Sequence, residues 1–232
     1  MRGESAGEAA EVPVVVDHAH DLLPVRDQGR RGTCIAFAAT TVHEHARLCR
    51  RGTISPELSV ELLFWRCKQL DGRSSEDGTN FNAARAALAD PGQCAETSWP
   101  YNPCRNHTRG YAPPASATRS DELRRSTMSV LRATPETVST FLHQGGTVLA
   151  GIELWDSFYA CRTADLIPPA GDLDGARHAV CLVGLDEGRD AIKLRNSWGT
   201  SWGVDGYAWL RRDALALVLI EAWTVTDDID AS

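Results

Sequence analysis

The sequence predicts an α+β chain, with helices gathered in its first half and strands in its second. Three observations carry that expectation. Apolar residues recur at helical spacing between residues 34 and 90, short β-branched and apolar runs bounded by Gly or Asp begin at Val148, and a proline-bearing stretch at 102–120 separates the two patterns. Such an order implies two segregated lobes with a cleft between them.

Taken along the chain, residues 1–11 are acidic, rich in small residues and without an apolar pattern, as in a disordered tail. Pro13-Val14-Val15-Val16 is β-branched and predicts a strand at about 12–17, and Pro24 to Gly32 is a polar, glycine-bearing loop. A helix starts near Cys34 and runs to about Arg50: Ala36, Ala38, Ala39 and Ala46 favour it, Phe37 and Thr41 lie one turn apart, and Gly52 ends it. Ser55-Pro56-Glu57 is a start signal for a second helix carrying Leu58, Leu62, Leu63 and Trp65. Thr79-Asn80 starts a third, with Phe81, Ala84, Ala87 and Leu88 at helical spacing, and Pro91-Gly92 stops it. Pro103, Pro113 and Pro114 make 102–120 a long surface loop near the lobe boundary. Thr134-Pro135 caps a short helix with Val138, Phe141 and Leu142 on one face, closed by Gly145-Gly146. Strands follow at 148–149, 179–183, 191–194, 207–210 and 218–225. The helical lobe is expected at about 24–130 and the β-rich lobe at about 131–228 with the N-terminal strand, as one domain over 12–228.

Composition narrows the function. The 232 residues are 43% hydrophobic and 24% charged, in the ordinary globular range, and long enough to bury a core without a disulfide framework. The net charge is -7, and basic pairs such as Arg124-Arg125 and Arg211-Arg212 are isolated, which argues against nucleic-acid binding through phosphates. No run of about 18 apolar residues suggests a membrane span, and the first residues lack the apolar segment of a signal peptide. Seven cysteines leave at least one unpaired thiol, and no Cys-x-x-Cys pair suggests a zinc site. A cytoplasmic monomer with reduced thiols, no cofactor and no metal is the simplest expectation.

Chemistry concentrates in three segments. In Gln28-Gly29-Arg30-Arg31-Gly32-Thr33-Cys34-Ile35-Ala36-Phe37, a thiol stands at the first turn of a helix, where the dipole favours the thiolate. Its own N–H and a nearby glutamine amide are candidate oxyanion donors. A lone cysteine is more often a buried small hydrophobe; the pattern around Cys34 reverses that preference. His178-Ala179-Val180-Cys181-Leu182-Val183-Gly184 puts a histidine at the head of an apolar strand, 144 residues beyond Cys34, where a single histidine is usually just a satisfied core residue. Asn196-Ser197-Trp198-Gly199-Thr200-Ser201-Trp202-Gly203, followed by Gly206-Tyr207, is the most specific stretch in the chain.

Together these segments resemble the papain family of cysteine peptidases, over about residues 13–225, and most of all its bacterial, non-secreted members, whose Cys-x-Glu-x-x-Trp-Pro-Tyr is matched at Cys94 to Tyr101. The family's nucleophile segment has the form Gln-Gly-x-Cys-Gly-Ser-Cys-Trp-Ala-Phe. Gln28 falls six residues before Cys34, as in the family, but Arg31 stands where secreted members have a disulfide cysteine and Ile35 where they have Trp. The resemblance implies a two-lobe fold, with a helical N-terminal lobe, an antiparallel β-barrel-like C-terminal lobe and the active site in the cleft. It implies hydrolysis of peptide bonds through a Cys34–His178 pair and a thioester, with Gln28 on the oxyanion, Asn196 orienting His178 and Trp198 shielding that bond. Gly78, Ala150, Gly151, Ala179 and Trp202 are the substrate-contacting positions it suggests. It implies a peptide or protein substrate and, since only a short segment precedes Gln28 where secreted relatives carry an inhibitory prosegment, control by a regulatory protein or inhibitor. Cys67 and Cys104 lie near positions bridged in some relatives, a pairing that reduced surroundings disfavour.

Two other classes stay open on sequence alone. Arg31, Ile35 and the missing prosegment leave room for a non-catalytic papain-like binding module. A Cys-dependent transpeptidase would use the same pair, although such enzymes usually orient the base with Asp. Minor motifs carry less. His18 and His20 on one strand face lack a third metal ligand, His43-Glu44-His45 reads as a solvated helix face, and the Asn106-His107-Thr108 sequon means nothing without secretion.

Overall fold

A short strand, β1 (Val15–Asp17), is the first described element, and the longest described helix, α1 (Cys34–Arg51), follows a glycine-bearing loop. The computed structural model describes residues 14–53, 56–73, 76–105, 110–169 and 173–227; the expected tail at 1–11 and the sequon at 106–108 lie outside them. Gly52 closes α1 in the left-handed conformation with φ +67°, its N–H on the Leu48 carbonyl, which is the glycine-type stop the sequence signals.

Helices α2 (Val60–Leu70) and α3 (Phe81–Ala89) complete the helical lobe. Asn80 caps α3 as expected, its side chain accepting the Ala83 N–H. The second helix departs from the sequence signal: it begins after Ser59, whose hydroxyl accepts the Leu62 N–H. Leu58 is instead drawn into an isolated antiparallel bridge with Ala95, so tertiary pairing overrides the Ser-Pro-Glu start.

The β-rich lobe is built from β2 (Ser126–Leu131), α4 (Pro135–His143), β3 (Val148–Glu153), the single turn α5 (Asp156–Tyr159), β4 (Arg177–Asp186), β5 (Ala191–Arg195), β6 (Tyr207–Arg211), α6 (Arg212–Val218) and β7 (Leu219–Asp227). The sheet runs β2-β7-β3-β4-β5-β6, with β1 added to β4, and every pairing is antiparallel. The antiparallel sheet, with the helices gathered in the first half of the chain, is the α+β arrangement expected. β2 pairs with β7 from Ser126 onward, which moves the lobe boundary a few residues before the expected 130. Its sequence, Ser-Thr-Met-Ser-Val-Leu, is too polar to signal a strand; the partner strand supplies the ordering. The expected strand at 218–225 is preceded by the α6 turn that the same apolar run conceals.

Strand alternation distributes the core. In β4, Ala179, Cys181 and Val183 face α1, α2 and α3, while Val180 and Leu182 face the sheet's own interior with Ile192, Leu194, Ala208 and Leu210. α1 is therefore covered on nearly all sides. His43, Glu44 and His45 are all buried, which corrects the expectation of a solvated face. Each is satisfied locally: His43 Nδ1 meets Gln93 Oε1 at 2.9 Å, Glu44 Oε1 accepts the Leu58 N–H at 2.8 Å, and His45 Nδ1 meets the Thr147 hydroxyl at 3.3 Å. His18 and His20 sit in a 3-10 turn (His18–Asp21) rather than on a strand. All seven cysteines are free; Cys67 is buried and Cys104 exposed, so the suggested bridge is absent. No described helix is long and apolar enough to cross a membrane.

Candidate active site

Cys34 is the first residue of α1. The preceding Thr33 does not cap the helix with its side chain. Its hydroxyl donates to the Tyr101 phenol oxygen at 2.9 Å, and Tyr101 passes its own proton to the Gln28 carbonyl at 2.7 Å. The first N–H groups of α1 thus stay uncapped around the sulfur. Burial pushes the Cys34 thiol above its usual range, and the N–H groups of Ala179, Ile35 and Cys34 itself act against that shift by hydrogen bonding to sulfur. The Ala179 contact puts the sulfur beside the head of β4, next to His178.

His178 Nε2 lies 2.7 Å from Asn196 Oδ1. The same oxygen takes the Ser197 backbone N–H at 2.8 Å. A backbone N–H can only donate, so Oδ1 is the acceptor and His178 Nε2 must be the donor. Nδ1 then holds the lone pair on the other side of the ring. Burial pulls the imidazole down to about 4, opposed by the bond to Asn196. The Trp198 ring lies 4.7 Å from that of His178. Phe158, 5.9 Å from His178 and fully buried, adds a second aromatic wall that the sequence analysis missed; the Trp155-Asp156-Ser157-Phe158-Tyr159 cluster was its only signal.

Cys34 and His178 line one cleft of about 440 Å³ together with Gly32, Gly78, Phe81, Gly151, Ala179, Ile220 and the charged Arg73, Asp77, Arg177 and Glu221. Gly32 has to be glycine, because a Cβ there would stand 2.5 Å from the Gly78 nitrogen. Gly78 lines the cleft as expected, but its carbonyl already accepts from Lys68 Nζ at 2.9 Å, which occupies part of the acceptor a substrate strand would use.

Three expectations change. Ala150 is fully buried in the sheet interior with Val148 and Ile152, because strand alternation sends it away from the cleft that its neighbour Gly151 faces. Trp202 is 2% exposed and gives its indole N–H to the Phe158 carbonyl, so it is core and cannot touch a substrate. Gln28 is buried and tied down on both sides: Nε2 donates to the Arg31 carbonyl at 2.8 Å and Oε1 accepts from the Ser197 hydroxyl at 2.6 Å. One amide proton is thereby committed, and only the second remains for a substrate oxygen.

Arg31 stands where the resemblance places a disulfide cysteine, and it grips Glu61 of α2 with both guanidinium nitrogens, at 2.8 and 3.0 Å. Glu61 also accepts from the Tyr111 phenol at 2.6 Å and the Asn102 N–H at 3.0 Å. An ion pair anchors the nucleophile loop to α2 of the helical lobe.

Residues 12–225 match the family described as papain family cysteine protease. The chain belongs to that family. Among papain-family relatives it is 29% identical to cathepsin J of Mus musculus over 205 residues, covering 83% of this chain and 58% of that protein. It is 24% identical to an uncharacterized peptidase C1-like protein of Acanthamoeba polyphaga mimivirus over 220 residues, covering 84% of this chain and 69% of that one. In fold it is similar to xylellain, a cysteine protease from Xylella fastidiosa, with a TM-score of 0.77 at 22% identity over 94% of this chain and 88% of that one. It is also similar to the Carica candamarcensis cysteine protease CMS1MS2, solved in complex with E-64, with a TM-score of 0.72 at 23% identity over 94% of this chain and all of that one. The papain-family fold is thus present through both lobes, with the cleft between them.

Proposed function

We propose that this chain is a cysteine peptidase that hydrolyses peptide bonds through a Cys34–His178 pair. The observation that carries the proposal is the hydrogen-bond logic at Asn196, which turns the lone pair of His178 Nδ1 away from Asn196 while Cys34, on an uncapped helix start, lines the same cleft. Burial alone penalises a lone charge on either group. Moving the proton from sulfur to ring adds no net charge, and the two charges so formed offset each other's lost hydration. The backbone N–H groups on sulfur and the Asn196 oxygen on Nε2–H favour that transfer.

The thiolate attacks the peptide carbonyl carbon, and the oxyanion is held by the Cys34 N–H and the second amide proton of Gln28. The His178 imidazolium gives its proton to the departing amine, leaving a thioester on Cys34. Water, deprotonated by His178, then releases the acid and restores the thiol. Asn196 acts through His178 as a positioning residue, and Trp198 keeps water from their bond. The Arg31–Glu61 pair, which needs no oxidant, supports a reducing compartment such as the cytoplasm.

Labelling with E-64 followed by peptide mapping tests this directly. One adduct on Cys34 is expected, and labelling persists at pH 6, where an ordinary thiol is less than about 1% ionised. In His178→Ala the sulfur loses its partner, and burial, which outweighs the N–H groups on sulfur, holds its pKa up, so labelling shifts to higher pH. An unchanged labelling–pH profile in His178→Ala contradicts the pair. Asn196→Ala is expected to cost about tenfold in kcat, the value of one buried hydrogen bond. For side-chain choice, Gly151 is the sensitive wall: a Cβ there would lie 3.0 Å from the Phe81 ring. Gly151→Val is expected to raise KM for substrates with a bulky apolar residue about tenfold with little change for small ones, which parallel assays on two such peptides measure.

A further inference from the structure

On the far side of α1 from the cleft's mouth, the N-terminal turn and the helix bring together groups that the peptidase chemistry does not use. His18 and Asp21 come from the 3-10 turn and His45 from α1. One ligand atom from each lies within 4.8 Å of the other two. His18 Nε2 is 3.1 Å from the Leu142 carbonyl at the end of α4. A carbonyl only accepts, so that nitrogen donates and Nδ1 carries the lone pair, 3.9 Å from Asp21 Oδ2. A histidine held by a backbone carbonyl on one nitrogen, with the other turned to a shared point, is the supporting arrangement that metal-binding imidazoles use. On the helix side, the Thr147 hydroxyl stands 3.3 Å from His45 Nδ1, which leaves Nε2 for a ligand. The Cys49 sulfur, one turn along α1, lies 3.8 Å from Nδ1 and 3.7 Å from Nε2 of that ring and 3.7 Å from the Gly145 carbonyl.

The geometry points to a binding site for a divalent ion of the zinc class, held by His18 Nδ1, Asp21 and His45 Nε2, with water completing the set. Two imidazoles and a carboxylate suit zinc in number and donor type. Ligand atoms around tetrahedral zinc stand about 3.3 Å apart, given bonds of about 2.0 Å. The set must therefore draw together, and exposed Asp21 on its short turn is the member free to move. An approach exists on the side of Asp21, which is exposed. A bound ion would fasten the turn after β1 to α1, tying the N-terminal segment to the helix that carries the nucleophile.

The test uses the full chain with Cys34→Ala, so that the reactive thiol cannot compete for metal. Zinc chloride titrated against a chromophoric chelator is expected to bind once per chain. At 100 times the dissociation constant it should raise the unfolding temperature by about 5–10 °C. His18→Ala and Asp21→Ala, each added to that background, should weaken binding at least about tenfold. Asp21 is exposed, so its variant keeps the test decisive should His18→Ala disturb packing. No binding, or affinity unchanged in Asp21→Ala, overturns the site.

Discussion

Cys34→Ala is expected to lower kcat/KM for a fluorogenic peptide by about 10⁵-fold or more, the scale on which removing an attacking nucleophile acts. The fold should survive. Cys34 lines the cleft and is only partly buried at the edge of the core, and burial penalises rather than rewards its ionised form. Chemical denaturation should therefore place the variant within about 1 kcal/mol of the parent. The informative result is the combination: activity gone, stability kept, E-64 adduct absent. Appreciable hydrolysis by this variant would mean that another group attacks the substrate. Loss of activity together with collapse of the fold would say nothing of chemistry, and Cys34→Ser, which keeps the volume, then serves in its place.

The second large effect concerns stability. Arg31→Met leaves the Glu61 carboxylate, which has no side-chain exposure at all, without its two-pronged guanidinium partner and with only the more distant Arg105 Nε, at 3.6 Å, as a cation. Breaking one side of a buried ion pair typically costs about 3–5 kcal/mol. Urea unfolding of Arg31→Met, Glu61→Met and the double variant separates the parts. Each single change should be severe and the double one much milder, because it removes both charges from the apolar surroundings. Activity should follow stability in the single variants, since the Arg31 carbonyl holds Gln28 Nε2 and receives the Thr33 N–H, fixing the loop that presents Cys34. A double variant whose loss equals the sum of the two single losses would mean that the pair is incidental to the loop.

Much of this molecule is legible from one sequence because its strongest signals are local. The cap residues Asn80 and Thr134 and the stop at Gly52 act within a turn of themselves, and each stands where it is expected. The Asn196–Trp198 segment is equally readable, since spacing of rare residue types survives any change in the surrounding loops. What was missed depends on partners distant in the chain. β2 is a strand only because β7 lies beside it, Leu58 leaves its helix for Ala95, and His43 to His45 are buried only because two lobes close over one helix. The errors at Ala150 and Trp202 are of another kind. Both lie close in sequence to cleft residues, yet whether a side chain faces a groove or the core is settled by a one-residue phase that motif matching does not resolve.

That phase carries a consequence for how this protein can change. β4 holds the imidazole at position 178 on one face and offers the Ala179 N–H to sulfur from the adjoining residue, with 181 and 183 seated against the nucleophile's helix. Dropping or adding a single amino acid between 179 and 183 would invert every side chain upstream of the lesion relative to its neighbours, sending the ring toward the helices and a methyl toward Asn196. Beyond the one irregularity that β4 already carries between Leu182 and Gly184, this ribbon admits exchange of letters more readily than a shift of frame.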